Sequence, residues 1–282
     1  MNKEKIAVLT DSGSDILGNI SPDVFVLPLI IQIDDKTYVD GVDINLEQVL
    51  DQLDDHKVTT SLPKPEVIEQ ALDKIKELGY THVIISTISS GLSGTFNICR
   101  MIAEDYEGLT IALIDTKNIS KGSGYNVYKA LELIDKKLTF EEIVTTLTNT
   151  LDDQKVFFTI ATIDYLRRGG RIGLVAGTVA SVLNIKPIIS CNEKGVYYTE
   201  KKTRGYLKAL NLLIEVAHDF AETAKSYDVT VLVARVDDKI KAAIEKVKET
   251  FKKIRNFEMK TVTPALAIHI GPEAFGVAVR KL

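Results

Sequence analysis

Cysteine and histidine are both scarce in this sequence, which limits the chemistry that the chain can perform. Only two cysteines occur in 282 residues, Cys99 and Cys191, and they lie too far apart to suggest a disulfide framework or a metal-binding spacing. The four histidines leave few candidates for a general base, and no cluster of His, Cys and carboxylates has the spacing of metal ligands. We therefore expect no metal site.

Long apolar runs and a strong excess of one charge are also missing. No apolar stretch reaches the roughly 20 residues that a membrane-spanning helix needs, and the opening MNKEKIAVLTDSGSD lacks the apolar core of a signal peptide. The net charge is −4 and the sequence pI is about 5.7, which argues against a nucleic-acid partner. We expect a cytoplasmic, globular protein without an integral membrane segment.

Common catalytic and nucleotide-binding motifs are absent too. Gly122-Ser123-Gly124 is too short for a dinucleotide fingerprint, and no G-x-x-x-x-G-K-[ST] run occurs. The segment Gly91-Leu92-Ser93-Gly94-Thr95 departs from the G-x-S-x-G nucleophile elbow because its second glycine arrives one position early. An esterase or acyltransferase that uses Ser93 and His269 therefore stays open only as an alternative.

The order of strand and helix patterns predicts an α/β protein with two domains, residues 1–155 and 156–282. In the first, strands alternate with helices, which favours a parallel sheet covered on both faces. The strands are predicted at 5–10, 24–33, 81–87 and 109–116, and the helices at 45–53, 63–78, 94–106 and 124–136. The second is predicted to be an α+β domain with a hairpin turn at 192–195, long helices near 204–225 and 238–253, and a strand, LAIHIG, that carries His269.

Three loops rich in hydroxyl groups follow strands of the first domain. They are TDSGSD (10–15), ISSGLSG (88–94) and DTKNISKGSG (115–124). Because ligands of open α/β sheets bind outside the carboxyl ends of the strands, we expect these loops to converge on one rim. Ser93 would then lie at a helix start, where unpaired N–H groups favour an anion. The alternative is that each Ser or Thr caps its own helix.

Six short segments, in register across the whole chain, resemble the DegV family. In chain order they are TDSGSD, TTSLPKPE (59–66), SSGLSGTFN, IDTKNISKGSG, YLRRGGRIG followed by VLNIKPIIS, and HIGPEAFG. The resemblance implies a two-domain DegV-like fold, with a parallel-sheet N-terminal domain, an α+β C-terminal domain, and a long-chain fatty acid bound between them. It implies no cofactor.

The resemblance also assigns roles to individual residues. The family's carboxylate-binding positions fall on Thr60 (beside Ser61), Ser93 and His269. The candidates for contact with the head group or with a partner are Gly94, Arg171, Lys202 and Arg204. Among the basic residues, Arg171 matches a family position near the surface on which the partner docks. Lys202 aligns more naturally than Arg204 with the family's basic residue that approaches the head group of the fatty acid. Aliphatic side chains of 24–33 and 173–189 are expected to line the tunnel for the acyl chain.

The function implied is that of the fatty-acid-binding subunit of a bacterial fatty acid kinase, the FakB type. Such a non-catalytic subunit presents the carboxylate of a palmitate, stearate or oleate type of ligand to a separate ATP-binding kinase subunit. The kinase makes acyl phosphate for phospholipid synthesis, and transient contact with a membrane is compatible with this role. Two alternatives stay open: a lipid carrier or sensor without a kinase partner, and the Ser93/His269 esterase.

Overall fold

Two large sheets and one small sheet organise the computed structural model, which describes residues 4–16, 20–179 and 184–282. The first half contains β1 (Ile6–Asp11), β2 (Val24–Leu27), β3 (Ile30–Ile33), β4 (Lys36–Val39), α1 (Leu46–Leu50), β5 (Val58–Ser61), α2 (Pro65–Glu77), β6 (His82–Thr87), α3 (Thr95–Asp105), β7 (Thr110–Asp115), α4 (Ser120–Asp135) and α5 (Phe140–Asn149). The second half contains β8 (Gln154–Thr159), α6 (Asp164–Arg168), α7 (Ala176–Val179), β9 (Ile185–Cys191), β10 (Tyr197–Arg204), α8 (Tyr206–Ala221), β11 (Tyr227–Val233), α9 (Asp238–Thr250), β12 (Ile254–Thr261), α10 (Pro264–Ile270) and β13 (Phe275–Lys281).

The sheets confirm the predicted α/β class. A four-stranded parallel sheet has the order β2-β1-β6-β7, and a six-stranded sheet has the order β10-β9-β8-β13-β11-β12. In the larger sheet β11 and β12 run parallel, and the other neighbours run antiparallel. A small antiparallel sheet, β4-β3-β5, completes the set. The division into domains at residue 155 stays a prediction; that residue lies within β8.

Helices cover both faces of the parallel sheet, because its strands are apolar on both sides. Successive side chains of a strand point to opposite faces, so β1 contributes Ile6 and Val8 to one core and Ala7 and Leu9 to the other. The first core is completed by α4 and α5 and the second by α2 and α3. This packing fixes the carboxyl ends of the strands, from which the hydroxyl-rich loops extend.

The extended run at 24–33 forms two strands, so the prediction of one continuous segment is wrong. Pro28 lies between β2 and β3, and proline lacks the N–H that a strand ladder requires. The two strands join different sheets: β2 pairs with β1, whereas β3 pairs with β4 and β5. The strands β4 and β5, which the pattern did not predict, bring Thr60 beside the second half of the chain.

Helix α4 begins at Ser120, one turn before the predicted start at 124. The glycines of the KGSG segment lie inside the helix and not in a loop, and they allow neighbouring atoms to pack closely against it. A Cβ at Gly124 would lie 2.5 Å from the carbonyl oxygen of Ser14, and one at Gly122 would lie 2.3 Å from the Asn118 side chain. The sequence pattern therefore favoured a loop where tertiary packing requires small residues in a helix.

The segment LAIHIG is a helix, so the strand predicted around His269 is also wrong. Pro264 is the first residue of α10, and Gly271, with φ of 75°, ends it, which is the usual asymmetry of proline and glycine at helix ends. The five residues from Pro264 to Ile268 are all buried, and a helix that is apolar all round resembles a buried strand in sequence. His269 therefore lies in the last turn of a helix.

The sequence pattern also failed to predict the helix α5 and the strand β13.

A network of ion pairs joins α4 to the six-stranded sheet, with Arg280 and Asp228 buried and Arg255 and Glu132 partly exposed. Arg280, only 3% exposed, donates to Asp228 at 2.8 Å and to Glu132 of α4 at 2.5 Å. Arg255 donates to the same two carboxylates, at 2.5 Å to Asp228 and 3.1 Å to Glu132. Two arginines thus share two carboxylates across the junction of the two halves.

Replacing Asp228 by Asn is expected to destabilise the protein, because it removes the charge that compensates the buried Arg280. Breaking a buried pair from one side typically costs about 3 kcal/mol of unfolding free energy. Urea denaturation checks this against Lys241→Ala, which removes the exposed pair with Asp238 and should change stability by less than about 0.5 kcal/mol. Equal unfolding midpoints for the two variants would show that the network adds no stability.

Candidate functional site

A cavity of about 820 Å³, including space open to solvent, is lined by residues from both halves of the chain. Most of the lining is apolar. The first half contributes Leu29, Ile88, Leu92 and Ile119, and the second half contributes Val156, Phe158, Leu232, Val262, Ala265, Leu266, Ile270, Ala274, Phe275 and Gly276. The polar lining residues are Thr60, Ser61, Ser93, Ser120, Arg171, Tyr197 and His269. A cavity with apolar walls and a few polar groups is the usual form of a small-molecule site.

The structure brings Thr60 and His269 into contact although 209 residues separate them. Thr60 Oγ1 and His269 Nε2 form a hydrogen bond of 2.9 Å. Thr60 is provided by β5 of the small sheet, and His269 by the last turn of α10. Ser61, the next residue on β5, is more exposed and also lines the cavity. All four residues predicted to bind a carboxylate therefore line one cavity.

His269 is held as a neutral ring. Burial, with the positive charge of Arg171 as a second cause, lowers the pKa of His269 to about 4. The ring packs closely against Gly169, where a Cβ would lie 2.1 Å from Nδ1. Nδ1 is buried without a hydrogen-bond partner among the residues that the structure describes. A glycine at 169 is therefore required for the ring to take this position.

Ser93 lines the cavity and also takes part in the start of α3. Its Oγ shares a hydrogen bond of 2.9 Å with Thr95 Oγ1 and accepts one of 3.3 Å from the Thr95 N–H. Gly94, and not Ser93, is the N-cap residue of α3, and no side chain makes a cap hydrogen bond there, so the alternative that a Ser or Thr caps this helix is wrong. An esterase would need His269 to bond Ser93, but the ring bonds Thr60.

The loops 10–15, 88–94 and 115–124 converge on one rim, as predicted. Ser14 bonds Thr10 at 3.0 Å and Ser123 at 3.1 Å, and Thr116 donates to Ser123 at 3.0 Å. The Ile88 N–H donates to the buried Asp11 at 2.9 Å, which connects the loop 88–94 to the loop 10–15. Most of these hydroxyls are buried and bond one another, so they stabilise the rim and are not free to bind an anion.

The four residues predicted to contact a head group or a partner lie in two places. Arg171 lines the cavity and donates to the carbonyl oxygens of Leu92 at 3.2 Å and Gly169 at 2.6 Å. Gly94 and Arg171 also line an adjacent surface groove, formed by residues 90–94, 170, 171, 173 and 196. Lys202 and Arg204 are exposed on β10 and line neither space. The roles assigned to all four stay predictions.

The apolar lining differs from the expected tunnel. Leu29 comes from the predicted segment 24–33, but residues 173–177 and 184–189 do not line the cavity, and residues 180–183 of that segment lie outside the described residues. Helix α10 and strands β8 and β13 supply much of the wall instead. Sequence reasoning also missed Ser120 and Tyr197, although Ser120 belongs to a loop already selected for its hydroxyl groups.

Among the residues that the structure describes, no three His, Cys, Asp or Glu side chains are grouped as a metal ion would require. None of the helices in the same residues is long and apolar enough to cross a bilayer.

Comparison with known protein families shows which family this chain belongs to. The family model described as "Uncharacterised protein, DegV family" matches residues 5–282. The chain belongs to the DegV family. DegV domain-containing proteins of Clostridium acetobutylicum and Clostridium perfringens are 38% identical over 283 residues and 36% identical over 280 residues, and each alignment covers 99% of both chains.

Solved structures of DegV proteins share the fold. One from Thermus thermophilus, described as showing fatty acid binding of a DegV family protein, has a TM-score of 0.91 and 27% identity, covering 98% of this chain and 99% of the other. A fatty acid binding DegV family protein of Streptococcus agalactiae has a TM-score of 0.90 and 28% identity, covering 99% of both. A stearic acid-binding protein of Eubacterium ventriosum has a TM-score of 0.85 and 26% identity, covering 98% of both. The predicted DegV-like fold is thus confirmed.

The titration of His269 checks the electrostatics of the site. In the ligand-free protein we expect its pKa to be about 4, because burial disfavours the charged ring. NMR of protein labelled with ¹³C and ¹⁵N in histidine measures this, with His269→Gln used to assign the signal. A ring that titrates near pH 6.5 would contradict the burial that the structure shows.

Proposed function

We propose that this chain binds a long-chain fatty acid in the cavity, with the carboxylate at Thr60, Ser61, Ser93 and His269. The observation that carries the proposal is the hydrogen-bonded pair Thr60–His269 in the wall of a cavity whose lining is mostly apolar. A fatty acid has the same two parts, a polar head and a long apolar tail. DegV proteins that share more than a quarter of their residues with this chain are described as fatty-acid-binding, which supports the proposal.

The apolar tail supplies most of the binding energy in this account. A palmitoyl-length tail with about 14 methylenes gains at most about 11 kcal/mol when buried, at about 0.8 kcal/mol for each methylene. Several kcal/mol are lost when the ligand is immobilised. The remainder permits tight, non-covalent binding without any contribution from the head.

The polar residues fix the orientation of the head. With the Nε2–H of His269 donating to Thr60 Oγ1, the Thr60 hydroxyl is free to donate to a carboxylate oxygen, and the Ser93 hydroxyl can donate to the other oxygen. The positive charge of Arg171, which lines the same cavity, favours an anion there. A bound carboxylate raises the pKa of His269, so binding at acidic pH takes up a proton and strengthens the charge-assisted hydrogen bond.

We further propose that the bound acid is presented to an ATP-binding kinase subunit. Leu92, Ser93 and Arg171 line both the cavity and the surface groove, so a protein seated on the groove would approach the carboxylate. The partner supplies the nucleotide and its metal, and transfers the γ-phosphoryl group to a carboxylate oxygen to give acyl phosphate and ADP. The present chain makes no covalent bond and acts in the cytoplasm, upstream of phospholipid synthesis.

Removing the Thr60 hydroxyl tests the site. Thr60→Val keeps the shape of the side chain but loses the hydrogen bond to the head, and affinity for palmitate should fall about tenfold. Calorimetry measures this beside Thr59→Val, a matched control on the same strand whose side chain points to the opposite face. Equal losses for the two variants would contradict the assignment of the head group to Thr60.

The same pair of variants tests the kinase partner. With an ATP-binding fatty acid kinase subunit of the same organism, wild type and Thr59→Val should support acyl phosphate formation and Thr60→Val should support less of it. Binding of palmitate without any acyl phosphate would show that the chain is a carrier or sensor. Hydrolysis of an ester by the isolated chain, lost in Ser93→Ala, would show that it is an esterase.

A further inference from the structure

The face of the six-stranded sheet that lines the cavity changes from apolar to charged along its strands. The register of β8, β13 and β11 arranges the residues of this face in rows, which are about 7 Å apart because alternate residues of a strand share a face. The first row is Phe158, Gly276 and Leu232, the second is Val156, Ala278 and Thr230, and the third is Gln154, Arg280 and Asp228. The whole first row lines the cavity, but of the second row only Val156 does. On this face the cavity therefore ends in the second row.

The segments that carry the predicted head-group residues join the sheet at its first-row end. Strands β8 and β13 are antiparallel, so Thr159, the last residue of β8, pairs with Phe275, the first residue of β13. The chain leaves β8 at this end and continues to Arg171, and it passes through His269 before it enters β13. A tail that runs inward along the sheet therefore meets the first row, then the second, and then the charged third row.

Tyr125 of α4 fills the space between that helix and the second row. Its hydroxyl bonds Thr230 Oγ1 at 2.9 Å and donates to the carbonyl oxygen of Ala278 at 3.3 Å. Ala278 is the cross-strand neighbour of Val156, so the ring reaches the sheet beside the last cavity residue of this face. The side chain of Tyr125 is 3% exposed and belongs to the same apolar cluster as Val156. The ring thus stands where the cavity stops.

Tyr125 also contacts the charged third row. The guanidinium carbon of Arg280 lies 5.7 Å from the centroid of the Tyr125 ring, and Arg280 pairs with Asp228 and Glu132. Both amide atoms of Gln154 and one guanidinium nitrogen of Arg280 are buried without a hydrogen-bond partner among the residues that the structure describes. Hydrocarbon cannot satisfy such polar groups. The ring of Tyr125 therefore separates an apolar space from a polar one.

We propose that Tyr125 forms the closed end of the cavity and sets the longest acyl chain that this protein binds. The inference rests on the proposed fatty acid binding and adds to it a limit on the tail. Affinity should rise about fourfold with each methylene that fits in the cavity. A methylene beyond the limit has no apolar space to enter, so the rise in affinity stops there.

A series of saturated acids measures this limit as the longest acid at which affinity still rises. Competition with a fluorescent fatty acid compares laurate, myristate, palmitate, stearate, arachidate and behenate. Tyr125→Leu replaces the ring by a smaller apolar side chain, so the limit should move up by about two carbons, and the first acid beyond the wild-type limit should gain about tenfold in affinity relative to palmitate. Tyr128→Leu is the matched control on the same helix, because Tyr128 packs against a different core, and its limit should stay that of the wild type.

Val156→Ile tests the closed end in the opposite direction and removes no large core side chain. The added methylene occupies space in the second row, so the acid at the wild-type limit should lose about fourfold in affinity relative to the next shorter acid. Val277→Ile is the control for this variant. It makes the same change on β13, but the side chain is buried on the opposite face of the sheet, so its chain-length profile should match that of the wild type.

The outcomes separate this inference from the function on which it rests. A limit that rises in Tyr125→Leu, falls in Val156→Ile and stays unchanged in both controls supports the role of Tyr125. An unchanged limit in folded Tyr125→Leu, with palmitate still bound, overturns that role and leaves the fatty acid site intact. If Tyr125→Leu does not fold, an unchanged limit in Val156→Ile overturns the proposal, because the closed end then lies elsewhere. Failure of the wild-type protein to bind any acid of the series overturns the proposed function itself.

Discussion

The placement of α10 is the constraint on which the candidate site depends. Two buried carboxylates accept hydrogen bonds from N–H groups at the start of this helix: Asp15 from Thr263 at 2.8 Å, and Asp40 from Ala265 at 3.0 Å. These contacts span 248 and 225 residues of chain. They satisfy donors that a helix leaves unpaired at its N-terminus. Both carboxylates come from the first half of the chain, so the helix that carries His269 is fixed against the half that carries Thr60.

This anchoring has an electrostatic cost that the surrounding hydrogen bonds reduce. Burial raises the pKa of Asp15 to about 6 and also raises the pKa of Asp40, while hydrogen bonds from Ser120 and Ser12 respectively favour the charged forms. The hydroxyl-rich loops 10–15, 88–94 and 115–124 therefore have a structural role, which could not be predicted from their composition. They solvate the carboxylates that orient α10, and the anion-binding task falls to Thr60, Ser61, Ser93 and His269 in our proposal.

Much of the fold could be predicted from the sequence because the strands of the parallel sheet are short apolar runs, and two of them, β6 and β7, are followed directly by the amphipathic helices α3 and α4. The exceptions have physical causes. Seven residues of α10 are too few to show a helical period when nearly all of them are buried. Pro28 divides an apolar run between two sheets, and Gly122 and Gly124 resemble a loop but permit close packing in α4. For the site, the family resemblance selected residues that line one cavity, but only the three-dimensional structure shows that Lys202 and Arg204 lie elsewhere and that Tyr197 lines the cavity.

Mass spectrometry of the purified protein, first native and then after organic extraction, tests the central claim most directly. The account predicts one non-covalently bound fatty acid per chain, with 16 or 18 carbons as its resemblance to the DegV family implies, which extraction releases intact and added palmitate or oleate replaces. A chain that carries no lipid and takes up neither acid would contradict it, because the cavity and the Thr60–His269 pair would then serve another ligand.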